Sequence, residues 1–345
     1  MTKQIKGQPV EMSRSYKCAA FFLLIFVASS NAFSEGYTVV GRIPLPGYRA
    51  KSLLLSPNGI AYVLEKEKDE WWSEDWKELF TAVDLRGRQT LPQVLLKDKA
   101  KAIAINPNGD TVFILGNSVT PFDTNNHQIL SPIETLCKGD AIGVSADGLY
   151  AYILSEGYET PHVPSVLDAC IVQLHLKSGT RSQIIDLSAA FSSMVVTSND
   201  MAYLLRYQEL LPLNIVSGTA QHPIHIDFVP NSGRIAFAIT PDNAWAYVVT
   251  GRDRITPIEL STRQLFPTIQ VGLDPAYVAI GPDGKRAYVA NHEGKSITPV
   301  DLRTRQALAP IQLDQKPSEL AVSADGRLLV VLISEGRELL MIWIN

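Results

Sequence analysis

The stretch GPDGKRAYVAN, Gly281–Asn291, places a turn-forming tetrapeptide directly before a short apolar segment. Asp-Gly and Asn-Gly accept the positive φ angles of a tight hairpin at little cost. A second apolar segment, YVAI, precedes the turn. Two apolar runs flanking such a turn predict a β-hairpin.

The unit recurs along the chain. The turns are SPNG (Ser56–Gly59), NPNG (Asn106–Gly109), SADG (Ser145–Gly148), TSND (Thr197–Asp200), TPDN (Thr240–Asn243), GPDG (Gly281–Gly284) and SADG (Ser323–Gly326). Their third residues are spaced by 50, 39, 52, 43, 41 and 42 positions. A period in the low forties marks a propeller or another repeat array. After each hairpin comes a third run, such as FTAVDL, VTPFDT, ITPIEL or ITPVDL, and after most a weaker fourth, such as PQVLL, TIQV or PIQL. Four strands per unit are what a propeller blade requires. The last unit stops at its third strand, Leu339–Ile344, and YTVVGRIPL, Tyr37–Leu45, has fourth-strand character. The N-terminal segment is therefore expected to complete the last blade, closing a ring and leaving no inner edge unpaired. The predicted fold is all-β, a seven-bladed β-propeller of four-stranded antiparallel blades spanning residues 35–345.

YVAN followed by SITPVDLRT resembles the YVTN-type propeller repeat of bacterial surface and periplasmic proteins. Units six and seven match best and units one to four loosely; NGIAYV and NDMAYL, in units one and four, are one residue short in the turn. The resemblance covers about Tyr37 to Asn345 and implies seven blades around a central channel. The family hosts scaffolds, partner-binding proteins and some enzymes, so the fold does not settle function.

Residues 1–34 differ in kind. Arg14 and Lys17 precede AAFFLLIFVAS, Ala19–Ser29, and small residues follow in SSNAFS. A positive start, a short apolar middle and a small-residue exit predict a signal peptide, cleaved after Ala32 or Ser34. The apolar run is about half the ~20 residues of a membrane-spanning helix, so no stable span is expected after cleavage, and a periplasmic or secreted location is. Without residues 1–34 the chain holds 27 basic and 34 acidic residues, a net of −7. That balance disfavours nucleic acid as a partner, because such binding runs on basic surface.

Irregular length falls on one face of the disc, here called the top, which carries the loops between second and third strands and the connections between blades. EKEKDEWWSEDWKELF, Glu65–Phe80, holds seven acids, three lysines and three of the five tryptophans, Trp71, Trp72 and Trp76. Ser73 suggests a helix cap with Trp72, Trp76 and Leu79 on one face. The rings either pack onto the blade or form a partner-binding tip, where Trp is favoured. In blade three, SEGYETPHVPSVLDA, Ser155–Ala169, is expected to be a loop ending at Cys170. Cys137 lies in the preceding connection on the same face, so a Cys137–Cys170 disulfide suits an oxidising compartment; two unpaired thiols are the alternative.

Residues just before each inner strand should ring the channel mouth. The cations there are Arg49, Lys51, Lys99, Lys101, Lys138, Arg234 and Lys316, against the acids Asp140, Asp274 and Glu319. Convergent positive charge at a concave mouth attracts an anion, unless acids from the blade-one insertion neutralise it. HPIH, His222–His225, is too sparse for a metal site, and no C-x-x-C, G-x-S-x-G or H-E-x-x-H is present. No cofactor is expected. The sequence points to an exported, non-enzymatic scaffold binding a protein partner or an anionic small molecule through its top face. The enzymatic alternative is lactonase-like chemistry in the channel, with Asp140 or Glu319 beside Arg49 or Arg234. A purely structural envelope protein is the third possibility.

Overall fold

Each of the seven repeated turns between first and second strands is built on one left-handed residue. The fourth turn position has φ between 57° and 81° in all seven, supplied by five glycines, Asp200 and Asn243. In six of the turns its N–H donates to the carbonyl of the first position at 2.8–3.1 Å. The preceding Asn or Asp stays out of the positive-φ region, so this is a turn of three or four residues with one left-handed position and not a two-residue turn with two positive φ angles. The third position serves by its side chain. Asp147 accepts from the Ser145 hydroxyl at 2.5 Å and the Leu149 N–H at 2.9 Å, and Asp242 and Asp325 repeat the pattern. Those hydroxyl bonds hold all three carboxyls below the ordinary aspartate range. The shorter turns of blades one and four close between Ser56 and Ile60 and between Thr197 and Met201, one residue tighter than Gly281 to Arg286.

The computed structural model describes residues 36–68, 76–135, 138–155, 158–160, 163–167, 169–206, 208–227, 236–333 and 335–345. The expected signal peptide, Trp71, Trp72, Cys137 and Arg234 lie outside them. The described residues contain strands and turns and no helix. They form seven antiparallel blade sheets and one small two-stranded sheet; six blades are meanders from an inner strand to an outer one, and the seventh takes its outer strand from the N-terminal segment. In blade six the order is Pro275–Ile280, Arg286–Asn291, Ser296–Asp301 and a two-part outer strand, Gln306–Ala307 with Ile311–Gln312.

The outer strand is split in this way in blades one, two, four, five and six, at Pro92, Pro132, Pro223, Pro267 and Pro310. Proline has no N–H to give a ladder. The third strand carries a proline opposite each break except in blade one: the Leu308 N–H donates to the Pro299 carbonyl at 2.8 Å, and Pro299 cannot reciprocate. Blade three has no such proline, and its outer strand runs unbroken over Thr180–Asp186.

Period-two alternation buries both faces of each second strand. Tyr288 and Ala290 join the core shared with blade seven, while Ala287 and Val289 join the core shared with blade five. Seven such cores lie between consecutive blades, including one between blades seven and one. An open array would have one core fewer than it has blades, so the ring is closed. Closure follows the expected route: Tyr37–Pro44 pairs antiparallel with Glu338–Ile344 as the outer strand of blade seven, with a bulge at Val40. Ile43, 2% exposed, fills the core across the seam. Arg42 bridges Asp314 at 2.8 Å and Glu338.

The blade-one insertion is not helical where it is described. Its second strand, Ile60–Lys68, and third strand, Trp76–Asp84, extend the hairpin upward, with Lys68 opposite Trp76. Glu65, fully buried, explains why the strands keep their pairing this far. Its carboxylate accepts from the Thr81 hydroxyl and from the Gly47 N–H at 2.9 Å. Burial pushes this carboxyl above its ordinary range. Gly47 is required, because a Cβ there would meet the Glu65 side chain at 2.6 Å. The equivalent bracket in blade six is Asn291, which donates to Ser296 at 3.1 Å and Thr298 at 2.9 Å. In blade three, Tyr158–Thr160 and Val163–Leu167 form a small hairpin where the sequence suggests an irregular loop.

Candidate functional site

The inner strands converge on the channel, and their first residues lie on the top face. A cavity of about 1300 Å³ opens there. It is lined from blade one by Arg49, Lys51 and Lys66, from blade seven by Glu319, Glu335 and Arg337, and from blade six by Tyr277 and His292. The far wall comes from blades four and five.

Two of the expected cations, Arg49 and Lys51, therefore share one cavity. Lys51 does not present a bare charge. Its ammonium donates to both carboxylate oxygens of Glu78 at 2.5 and 2.7 Å, and to the Ala100 carbonyl at 3.0 Å. Burial pulls Lys51 below the ordinary lysine value despite that pairing. Glu78 is 4% exposed and belongs to the insertion. It also stands 4.0 Å from Lys66, so one carboxylate serves two ammonium groups. Arg49 and Arg337 are exposed and have no ion pair among the described residues.

The remaining cations are arranged differently. Lys101 pairs with Asp140, and Lys316 with Glu293 at 2.8 Å. Lys99 and Lys138 are exposed on blades two and three, which do not line the cavity. Trp76 opens the third strand of blade one. Its ring lies 5.7 Å from that of Tyr48, with the Lys66 ammonium 5.8 Å from its centre. Cys170, 3% exposed, begins the third strand of blade three. His225 is exposed beside Glu209, at 3.9 Å.

Sequence reasoning missed Lys66, Arg337 and His292 as mouth residues. Lys66 comes from the extended end of the second strand of blade one and Arg337 from the loop before the third strand of blade seven, not from the segments before inner strands. His292 is 7% exposed, and its Nδ1 lies 3.0 Å from the Pro317 carbonyl. That bond calls for hydrogen on Nδ1 and turns Nε2 toward Glu293, 4.0 Å away.

Glu319 is the most perturbed acid of the mouth. It heads the inner strand of blade seven, and its Oε2 accepts the Leu53 N–H of blade one at 2.7 Å. Burial lifts its carboxyl to about 7, against the pull of the Leu53 bond. The neighbouring Tyr277 phenol is also pushed up, by burial first and by the Glu319 charge second.

No family model and no curated protein matches the chain. Among solved structures, the chain is similar to one of the hydrazine synthase of Kuenenia stuttgartiensis, with a TM-score of 0.70 at 15% identity, covering 90% of this chain and 99% of that one. At that identity the likeness shows the fold, a seven-bladed propeller, and nothing about chemistry.

Proposed function

We propose that this propeller is an exported, non-enzymatic scaffold that binds an anionic ligand, or the acidic surface of a partner, at its top-face mouth. One observation carries the reading: a cavity of about 1300 Å³ draws Arg49, Lys51, Lys66 and Arg337 together in a chain whose part beyond residue 34 is net acidic. Low-dielectric walls focus such a field onto whatever enters. The two arginines supply planar, permanently charged forks suited to carboxylate or phosphate. The leader-like residues 1–34 and the resemblance to the YVTN-type repeat support a place in the bacterial envelope, periplasmic or secreted.

Titration calorimetry with inorganic phosphate at low ionic strength tests the reading. The expected result is saturable binding that weakens about tenfold in Arg49→Gln/Arg337→Gln and falls again as salt approaches the physiological range. Equal affinity in the double variant would remove the mouth as the anion site. A hydrolase reading rests on Glu319 alone, a carboxyl near neutrality inside the cavity. It requires lactone turnover that Glu319→Gln abolishes.

A further inference from the structure

The mouth differs from one side of the ring to the other. Among the described residues its charged lining comes from blades seven and one: Arg49, Lys51, Lys66, Glu319, Glu335 and Arg337; Arg234 of blade five lies outside them. In a ring of seven, blade four stands directly across from the seam between seven and one. There the described lining is Ser193, Met194 and Val195, continued on blade five by Ala236 and Phe237. Met194 and Phe237 are 8% and 7% exposed, their side chains shared with the cores flanking blade four. The sequence shows the same asymmetry, since blade four alone has no charge before its inner strand.

A site for a small inorganic ion gains nothing from an apolar wall, and about 1300 Å³ far exceeds what such an ion fills. That volume lies somewhat above the roughly 300–1,000 Å³ of pockets that enclose organic ligands of drug size, so it has room for one. Resting on the anion-binding reading above, we infer that the ligand is an amphipathic organic anion. Its carboxylate or equivalent head lies against the arginines of blades one and seven, and its hydrocarbon body lies along Val195, Ala236 and Phe237. The wall is smooth because these side chains are short or already buried, so it selects for apolar length and not for a particular hydrogen-bonding pattern.

Titration calorimetry of the full propeller with acetate, butyrate, octanoate, 1-octanol and inorganic phosphate tests this. A fully buried methylene changes Kd about fourfold, the equivalent of ~0.8 kcal/mol. Octanoate is therefore expected to bind at least about tenfold tighter than acetate even with partial burial, and tighter than 1-octanol. Val195→Thr/Ala236→Ser should shrink the octanoate-to-acetate ratio while leaving acetate affinity unchanged, as long as circular dichroism shows the variant folded. Arg49→Gln should weaken both carboxylates alike and leave 1-octanol unaffected. Phosphate and acetate binding as tightly as octanoate would overturn the amphipathic ligand and leave the anion site standing. Octanol binding as tightly as octanoate, or no probe binding at all, would overturn the anion site as well.

Discussion

Replacing Glu319 by Gln should stabilise the protein, and only above a definite pH. In the folded ring burial raises this carboxyl from its ordinary 4.5 to about 7. In the unfolded chain it titrates at the ordinary value. Between the two, the unfolded chain has released a proton that the folded state still holds, so ionisation favours unfolding. The penalty begins as pH rises past about 4.5 and is complete just above 7. At 1.36 kcal/mol per pH unit, the full cost is ~3 kcal/mol. Glu319 is partly open to the mouth, and water there screens the charge, which brings the figure to about 1–3 kcal/mol. Gln keeps a carbonyl oxygen for the Leu53 N–H, made at 2.7 Å in the parent, and carries no charge. Urea denaturation of both proteins should show Glu319→Gln more stable by about 1–3 kcal/mol at pH 8 and equal to the parent at pH 4.5. A variant less stable at pH 8, or equally stabilised at both values, would show that the carboxylate is not held against a desolvation cost.

Two further substitutions probe the frame around the mouth. Glu78→Gln leaves the half-buried Lys51 ammonium with the Ala100 carbonyl, 3.0 Å away, and no counter-charge; a loss of about 1–3 kcal/mol is expected at pH 7, and it should shrink as pH rises, beginning below the ordinary lysine range because burial already lowers Lys51, as read from denaturation midpoints across pH. Ile43→Ala empties a site 2% exposed in the core that joins the first and last blades, for about 2–4 kcal/mol; an unchanged thermal midpoint would mean that the seam does not limit stability.

The frame was readable because its signals are local. A residue such as Gly284, required at φ 66°, declares its turn within four positions, and AYV-type strands declare two buried faces within six. The split outer strands were equally local, since a proline marks each break, but reading PIQL or TIQV as whole strands passed over it. The insertion misled for a different reason. Ser73 and the Trp72, Trp76, Leu79 spacing satisfy a helical pattern, yet buried Glu65 ties the hairpin to Gly47 and Thr81, and that contact has no sequence signature. The mouth was half legible. Arg49 and Lys51 follow from counting back from each turn, whereas Lys66 reaches the same space because the second strand of blade one runs on to Lys68, and Arg337 reaches it from the loop before a third strand. The Lys51–Glu78 pair joins residues 27 apart and becomes visible only once the register of blade one is known.

The pairing of Tyr37–Pro44 with Glu338–Ile344 reverses the order in which the molecule is made and finished. The earliest of these strands to be synthesised waits for the latest, and the Asn345 N–H reaching the Gly36 carbonyl at 2.8 Å marks the meeting of segments about as distant as the chain permits. Blades can condense one after another from local hairpins, but the final latch is a contact of maximal sequence separation, which folds slowly. Until it shuts, the third strand of blade seven offers a bare hydrogen-bonding edge, open to any neighbouring chain.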